Sequence, residues 1–372
     1  MSTPLLDLLL ELCAIPSPPG DERVVADRVI AELRSFGLDP DEDDTGTSVG
    51  SNAGNLLARL PATVEAGTPL FLCAHLDTVP PDGPIEPVVE DGVVRNAAAT
   101  IVGVDNKAAI AVMVEATRRL RAENRPHAGV ELLFTTKEEV GLRGAAAFDA
   151  SRLHATVGYV YDMAAPIGEV ILGAPTARSL ELRFHGRAAH SGMAPEDGRS
   201  AIAAAARAVA DFRLGRIDDV TTTNAGVIRG GTARNIVPEH CVVEAEVRSH
   251  DDAKVAELVQ EMLETAGFAA SLAGCTLETE VHDQYRAYRL RTDEPAVRIA
   301  ADGLARAGFE ARYALTGGAA DANVFNAHGF RCVNLANGAT DIHTPDERIA
   351  VDDLERMVDV TLGIVEAARD AA

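Results

Sequence analysis

A histidine and an aspartate lie two residues apart, as His75 and Asp77, directly after the apolar run 70–74. The run predicts a β-strand, and two side chains at this spacing on an extended segment leave the same side of it. Such an imidazole can bind a metal ion while the neighbouring carboxylate fixes its tautomer. The pattern alone leaves a second interpretation open, which is a surface histidine beside a turn aspartate.

Carboxylates stand at the ends of three further predicted elements. Asp105 lies where a loop meets the Ala-rich helix predicted for 104–121, so it can either cap that helix or bridge two cations. Glu138 and Glu139 follow an apolar strand, where two adjacent carboxylates are costly unless they are solvated or paired with cations. Asp162 ends another apolar run. The carboxyl ends of strands are where open α/β sheets build their sites.

A second candidate imidazole, His343, lies in the polar segment 341–347. A lone histidine of this kind is more often structural. Taken together, however, the residues at element ends form a nitrogen and oxygen donor set without thiolates: His75, Asp105, Glu139, Asp162 and His343. Such a set is typical of zinc. Five ligands exceed the need of one tetrahedral ion and suit two ions bridged by a carboxylate.

One competing motif is the segment 46–50, which fits the serine-hydrolase pattern GxSxG. It follows an acidic run instead of a strand, so it lacks the strand-to-helix turn that a nucleophile of this class requires. We therefore predict a loop there. The sequence contains neither a GxxxxGK[ST] phosphate loop nor an HExxH motif.

The elements that would position these residues form two patterns. In 56–161 apolar strands alternate with helices, which predicts a mixed or parallel sheet sandwiched by helices. The middle of the chain has the order βαββαβ, which predicts a ferredoxin-like α+β domain inserted into the first. The expected domains are 1–175 and 286–372 for the two parts of a catalytic domain, and 176–285 for the insert.

Composition excludes several classes of protein. The 372 residues suffice for two domains. The net charge of −23 argues against nucleic-acid or anionic-membrane partners. No stretch approaches the roughly 20 apolar residues of a membrane helix, and the first residues have no basic leader, so we expect no signal peptide. The five cysteines are scattered, which favours a reducing compartment and predicts a cytoplasmic protein.

Eight stretches, spread over most of the chain, resemble those of a known family. The chain is similar to the dinuclear-zinc exopeptidases and amidohydrolases that include peptidase T, glutamate carboxypeptidase and aminoacylase, and it looks closest to the peptidase T-like branch. The matching stretches are HLDTVPP (75–81), GVDNKAAI (103–110), TTKEEVGLRGA (135–145), YDM (161–163), AAHSGMAPEDGRSAI (188–202), GGTARNIVPEHCVVEAEVRS (230–249), GGAADANVFNAHG (317–329) and IHTPDERI (342–349).

The resemblance implies a zinc-exopeptidase-like fold, and it assigns each candidate ligand to one or both of two metal ions. It implies that His75 and Asp162 hold one zinc ion, that Glu139 and His343 hold the other, and that Asp105 bridges the two. Cobalt or manganese could replace zinc as the native metal.

The resemblance also assigns roles outside the ligand set. It implies that Glu138 is the general base and that Asp77 supports His75. It further implies that the inserted domain is a lid that forms a homodimer and contributes residues that bind substrate or its oxyanion: His190, Asn235 and Arg248. Gly317 and Gly318 permit close approach of the backbone to a substrate.

Two departures from the family pattern lie beside the predicted bridge. Asn106 stands where many relatives have a second aspartate, and the Ala-rich segment 97–99 stands where they often show Asp-Gly-Thr. Neither change removes a ligand. The resemblance also predicts a cis peptide bond after Asp105.

The predicted function is hydrolysis of amide bonds in short peptides, by water that zinc activates and Glu138 deprotonates. Arg248 could hold a carboxylate of the substrate. Two alternatives stay open: a deacylase of N-acyl amino acids or related amides, and a metal- or ligand-binding protein without catalysis. The retained base and the full ligand set argue against the second alternative.

Overall fold

The computed structural model describes residues 3–371, and these form two compact units. The first unit comprises the described chain up to Gly173, Arg289–Leu315, and the chain from Ala319 onwards. The second unit comprises Ala174–Tyr288 and the short segment Thr316–Gly318. The second unit is therefore an insertion into the first.

The helices, in chain order, are α1 (Pro4–Cys13), α2 (Arg23–Ser35), α3 (Thr45–Val49), α4 (Val104–Ala122), α5 (Arg143–Ala147), α6 (Ala201–Asp211), α7 (Asp252–Leu272), α8 (Pro295–Arg306), α9 (Asp321–Ala327) and α10 (Val351–Asp370). None of the helices within residues 3–371 combines the length and apolar character that a membrane span requires.

The strands are β1 (Asp41–Glu42), β2 (Leu56–Leu60), β3 (Leu70–His75), β4 (Pro87–Glu90), β5 (Val93–Asn96), β6 (Val130–Thr135), β7 (Val157–Met163), β8 (Glu169–Ala174), β9 (Thr176–His185), β10 (Gly215–Asp218), β11 (Thr221–Gly230), β12 (His240–Ser249), β13 (Thr276–Tyr285), β14 (Tyr288–Arg289), β15 (Arg312–Leu315), β16 (Arg331–Ala336) and β17 (Arg348–Ala350).

The first unit is built on a nine-stranded mixed sheet with the order β1-β2-β6-β3-β7-β16-β8-β14, in which β15 also pairs with β8. The central strands β6, β3, β7 and β16 run parallel to one another, whereas β2 pairs antiparallel with β6 and β8 pairs antiparallel with β16. Every residue of β3 and β6 is buried. Their near-continuous apolar sequences fit strands covered on both faces, and the predicted mixed sheet is confirmed.

Helix α4 covers this sheet and is buried along most of its length. It packs against β3, α1 and α10, and its small alanine side chains let these neighbours approach closely. The helix follows Gly103, whose φ of 80° is a left-handed conformation that favours glycine.

A small sheet with the order β17-β5-β4 joins two distant parts of the first unit. Ile349 of β17 lies opposite Val94 of β5 in an antiparallel pair. This pairing brings the segment after His343 beside the segment that leads to Asp105.

The second unit is a five-stranded antiparallel sheet, β10-β11-β12-β9-β13, against which α6 and α7 pack. Apart from the short β10, the strand order is that of the predicted ferredoxin-like unit, with β9 between β12 and β13. Alternating residues of the strands, such as Leu182 and Val243, join apolar residues of both helices in one core. The predicted inserted α+β fold is confirmed.

The prediction of a loop at 46–50 was only partly right. Most of it lies in α3, which ends at Gly50 with a φ of 73°. The hydroxyl of Ser48 donates to the Thr45 carbonyl oxygen at 2.8 Å, as a helical serine can. A short helix here gives no strand-to-helix nucleophile turn.

Candidate metal centre

The candidate ligands converge because three neighbouring parallel strands end at the same edge of the large sheet. His75 is the last residue of β3, and Asp162 is the penultimate residue of β7. Glu138 and Glu139 follow β6, which lies on the other side of β3. Parallel strands in this order place their carboxyl ends side by side.

Asp105 and His343 enter from outside the sheet. Asp105 lies at the start of α4 with non-helical φ and ψ, and the Asp105–Asn106 peptide bond is cis, as the resemblance predicts. His343 has a φ of 63° in the turn that precedes β17. Asp105 has an extended backbone (φ −86°, ψ 105°) at the start of a helix, and His343 has a left-handed one, so neither residue continues the regular element beside it.

Asp105 lies between the two imidazoles. Its Oδ1 is 3.5 Å from His75 Nε2, and its Oδ2 is 3.1 Å from His343 Nε2. A second carboxylate accompanies each imidazole: Asp162 Oδ1 is 3.8 Å from His75 Nε2, and Glu139 Oε1 is 3.0 Å from His343 Nε2. We call these five residues the metal centre.

The ligand atoms fall into overlapping groups. One group is His75, Asp105 and Asp162, and another is Asp105, Glu139 and His343; within each group the atoms lie within 4.8 Å of one another. Asp105 belongs to both. One carboxylate with an oxygen directed to each of two groups is the arrangement that two bridged cations require.

The charges of the metal centre fit cations. Burial lowers the pKa of His75, but the carboxylates of Asp105, Asp162 and Asp77 outweigh it and raise that pKa well above its usual range. Hydrogen bonds from the His343 ring to the carboxylates of Asp105 and Glu139 raise the pKa of His343 to about 10. The carboxylates thus draw protons onto both imidazoles. Divalent ions with nitrogen and oxygen ligands would replace those protons.

The pKa values of the acidic residues show the same excess of negative charge. Burial, and then the charge of Asp105, raises the pKa of Asp162 to about 7. Burial, and then the charge of Asp162, raises the pKa of Glu138 well above its usual range. Carboxyl groups this close in a buried site are stable only when they share positive charge. The donor set therefore fits a pair of metal ions.

Asp77 connects His75 to the Glu138–Glu139 pair. His75 Nδ1 lies 2.8 Å from the Asp77 carbonyl oxygen and 3.5 Å from its Oδ1, which directs Nε2 towards the ligands. The Asp77 carboxylate accepts the backbone N–H groups of Glu138 at 2.9 Å and of Glu139 at 3.1 Å. One buried carboxylate thus holds an imidazole and the backbone of two glutamates.

The model of the peptidase family M20/M25/M40 matches residues 71–367, a range that spans the whole metal centre. The chain belongs to this family. It is therefore a metallopeptidase, and its fold and its peptidase T-like resemblance agree with that assignment.

Three similar proteins extend over almost the full length of this M20 peptidase. The uncharacterised protein YqjE of Bacillus subtilis is 37% identical, with 98% of each chain covered. Aminopeptidase PepT from Bacillus cereus is 36% identical in sequence, and its crystal structure matches with a TM-score of 0.86 over 98% of each chain. The structure of a tripeptidase from Staphylococcus aureus is 33% identical with a TM-score of 0.91, also over 98% of each chain.

Two residues that support the centre were missed by the sequence analysis. Asn334 of β16 accepts the backbone N–H of Asp162 at 2.9 Å and donates to its carbonyl oxygen at 2.8 Å. The signal for it was a polar residue inside the apolar run 331–336. Glu347 accepts the backbone N–H groups of the loop that carries Asp105, and its signal was its place in the IHTPDERI stretch.

Asp321, at the start of α9, is a third residue that the sequence analysis missed. Its Oδ2 accepts the Thr135 hydroxyl at 2.5 Å and lies 3.7 Å from Cys73 Sγ. Burial raises its pKa to about 6. It anchors α9 against the ends of β3 and β6, beneath the strand ends that carry the centre.

The substrate residues predicted from the resemblance lie in the second unit. His190 is exposed and pairs through its backbone with Ile236, next to Asn235. Arg248 is half-buried in β12, and its guanidinium donates to both carboxylate oxygens of Glu246 at 3.1 and 3.0 Å. The structure thus brings His190 and Asn235 together, and Arg248 has an acidic partner within its own strand.

Gly317 and Gly318 fall outside the unit expected from the sequence. They were placed in the second part of the catalytic domain, but Thr316–Gly318 groups with the second unit. The adjacent Thr316 contacts this unit, since its carbonyl oxygen lies 2.8 Å from His250 Nε2. An added Cβ at Gly317 would meet no atom within 4 Å, so the backbone there is open.

Proposed function

We propose that this M20 peptidase hydrolyses short peptides, with tripeptides as the leading substrate class. The observation that carries the proposal is the shared carboxylate of Asp105, directed to an imidazole on each side, next to the buried carboxyl of Glu138. The likeness to a tripeptidase and to an aminopeptidase over 98% of the chain supports the substrate class.

We propose two zinc ions as the metals, with cobalt or manganese as substitutes. His75 and Asp162 would hold one ion, Glu139 and His343 the other, and Asp105 both. Bound there, the ions would supply Lewis-acid chemistry, which polarises a carbonyl and lowers the pKa of water.

In this mechanism Glu138 is the general base. Its raised pKa suits a carboxylate that takes a proton from water and then delivers it to the leaving amine nitrogen. Asp77 keeps Glu138 in place through the backbone bond and keeps His75 in one tautomer. The buried position of Glu138 limits proton exchange with solvent.

The second unit would act as a lid and dimerisation domain. We propose that residues 176–285 bind the substrate or its oxyanion through His190 and Asn235. Gly317 and Gly318 would let the protein backbone approach the substrate closely. Arg248 would exchange its bond with Glu246 for a substrate carboxylate, since guanidinium binds both groups in the same bidentate way. Residues 1–175 and 286–372 would form the catalytic domain of a homodimer.

A cytoplasmic location is part of the proposal. All five cysteines are free, and four of them are buried. Free buried thiols suit a reducing compartment.

The proposal is tested by metal analysis together with a hydrolysis panel. The panel compares dipeptides, tripeptides, longer peptides and N-acyl amino acids, with Glu138→Gln as the matched inactive control. Two zinc ions per chain and highest kcat/KM on a tripeptide are expected. Preference for N-acyl amino acids would replace the proposed substrate with the deacylase alternative, and a zinc-loaded protein inactive on every amide would overturn the function.

A further inference from the structure

Two histidines of the second unit stand directly opposite each other, far from each other in sequence. His240, the first residue of β12, is the register partner of His185, the last residue of β9. Gly186 donates its backbone N–H to the Glu239 oxygen at 2.7 Å, so the adjacent His185–His240 pair occupies a non-hydrogen-bonded position. Side chains approach most closely at such positions, where the Cα atoms are about 4.5 Å apart.

Both imidazoles lie on the face of the sheet that the helices leave uncovered. The neighbours Phe184 and Cys241 point into the core with α6 and α7, and side chains alternate along a strand. The side chains of His185 and His240 are 39% and 68% exposed. An ion from solvent can therefore reach this pair.

The two rings bring their Nδ1 atoms close to each other. His185 Nδ1 and His240 Nδ1 are 3.3 Å apart, and the rings are nearly perpendicular at 83°. Two nitrogen ligands at about 2.05 Å from a tetrahedral zinc ion are separated by about 3.3 Å. The pair already has the spacing of two ligands on one ion.

The other nitrogen of each ring faces a carboxylate. Glu278 Oε2 lies 3.4 Å from His185 Nε2, and Glu239 Oε1 lies 3.8 Å from His240 Nε2. Histidines that bind metals usually donate their second N–H to such a group, which fixes the tautomer and strengthens the ligand. Arg183 Nη1 also lies 3.6 Å from Glu278 Oε1, although its main partners are Glu280 and Glu181.

We propose that His185 and His240 bind a divalent transition-metal ion, such as zinc, through their Nδ1 atoms. Water completes the coordination, because the site is open to solvent on one side. Imidazole ligands select zinc, copper or nickel over magnesium and calcium. With only two protein ligands, this site binds more weakly than the metal centre of the first unit and exchanges its ion with solvent.

The test measures zinc binding to the full-length chain by equilibrium dialysis. Wild type is expected to bind one weak ion per chain beyond those of the metal centre. His240→Gln and His185→Gln should each weaken the extra ion by at least about tenfold, and Glu278→Gln by about tenfold. The matched control is His282→Gln, because His282 also faces a glutamate at 3.4 Å but pairs with Ser179 instead of a histidine.

Histidine ring NMR of the wild-type protein gives a second readout that needs no variant. Zinc added beyond the tightly bound ions should shift the signals of His185 and His240 and leave that of His282 in place. An absent extra ion would overturn the proposal. So would an extra ion that His240→Gln and His185→Gln leave unchanged, or one that His282→Gln also removes.

Discussion

Replacing Glu347 with glutamine tests how the chain holds its bridging carboxylate. The buried Glu347 side chain accepts three backbone N–H groups of one loop. Oε2 accepts those of Val102 at 2.8 Å and Gly103 at 2.6 Å, and Oε1 accepts that of Asp105 at 3.0 Å. Glutamine keeps one acceptor oxygen and puts an NH₂ group in place of the other, so the loop loses at least one partner.

The expected cost follows from these contacts. Hydrogen bonds to a charged group contribute about 1.5–3 kcal/mol each, and a buried donor left without a partner costs about 1–3 kcal/mol. If the amide oxygen stays at the Oε2 position, the Asp105 N–H faces another donor. The neutral amide recovers part of this lost stability, because it avoids the cost of a buried charge; burial raises the pKa of Glu347 for the same reason. We expect a net loss of about 2–4 kcal/mol in the free energy of unfolding.

Urea unfolding of metal-free protein measures this loss, and zinc titration measures its effect on the centre. Zinc affinity should fall together with stability, because Asp105 ligates from the same loop. The matched control is Glu355→Gln, which breaks a partly exposed pair with Arg119 and should cost less than about 1 kcal/mol. An unfolding midpoint for Glu347→Gln that equals that of the control would refute the reasoning.

Four further predictions concern the centre and its surroundings. Glu138→Ala should keep its metal and lose kcat by about 10² to 10⁴, the usual share of a general base; near-normal turnover in the metallated variant would contradict the assignment. His343→Ala should bind one metal ion fewer per chain, and atomic absorption that still finds two tightly bound ions would speak against its role. Arg248→Ala should raise KM for substrates with a free carboxylate, at a cost of roughly 2–5 kcal/mol if that pair is buried, and an equal effect on amidated substrates would exclude the proposed contact. Burial lowers the pKa of Lys107 from 10.5 to about 8, so between these pH values the unfolded chain binds a proton that the folded chain does not. The contribution of Lys107 to stability therefore rises with pH across that window. The unfolding free energy of wild type relative to Lys107→Met should grow by up to about 3 kcal/mol from pH 8 to 10.5, and a pH-independent difference would disprove the shift.

The convergence of His75, Glu139 and Asp162 was predictable because it rests on local signals. Each follows an apolar run, and the runs alternate with helices, which predicts parallel strands whose carboxyl ends share an edge. Residue type then completes the argument, since these side chains can hold metals. The ferredoxin-like insert was predictable for a similar reason, as its strands alternate polar and apolar residues.

The supporting contacts were not predictable from pattern alone. Glu347 and Asp105 are 242 positions apart, and their contact depends on how β17 pairs with β5. Asn334 and Asp162 are likewise 172 positions apart. Thr316–Gly318 groups with the second unit, and the Thr316 carbonyl oxygen contacts His250, 66 positions away. Contacts of this kind depend on tertiary register, which hydrophobic periodicity does not encode.

The pairing of β17 with β5 has a consequence for a chain still being synthesised. A ribosome that has made the first 340 residues has produced His75, Asp105, Glu139 and Asp162, but neither His343 nor Glu347. The strand that ties the Asp105 loop in place is also still missing at that point. The nascent chain thus has its acidic ligands before the last imidazole and the clamp on the bridge. Premature termination before residue 343 would therefore leave a chain that lacks one candidate ligand and the contacts of Glu347 with the Asp105 loop.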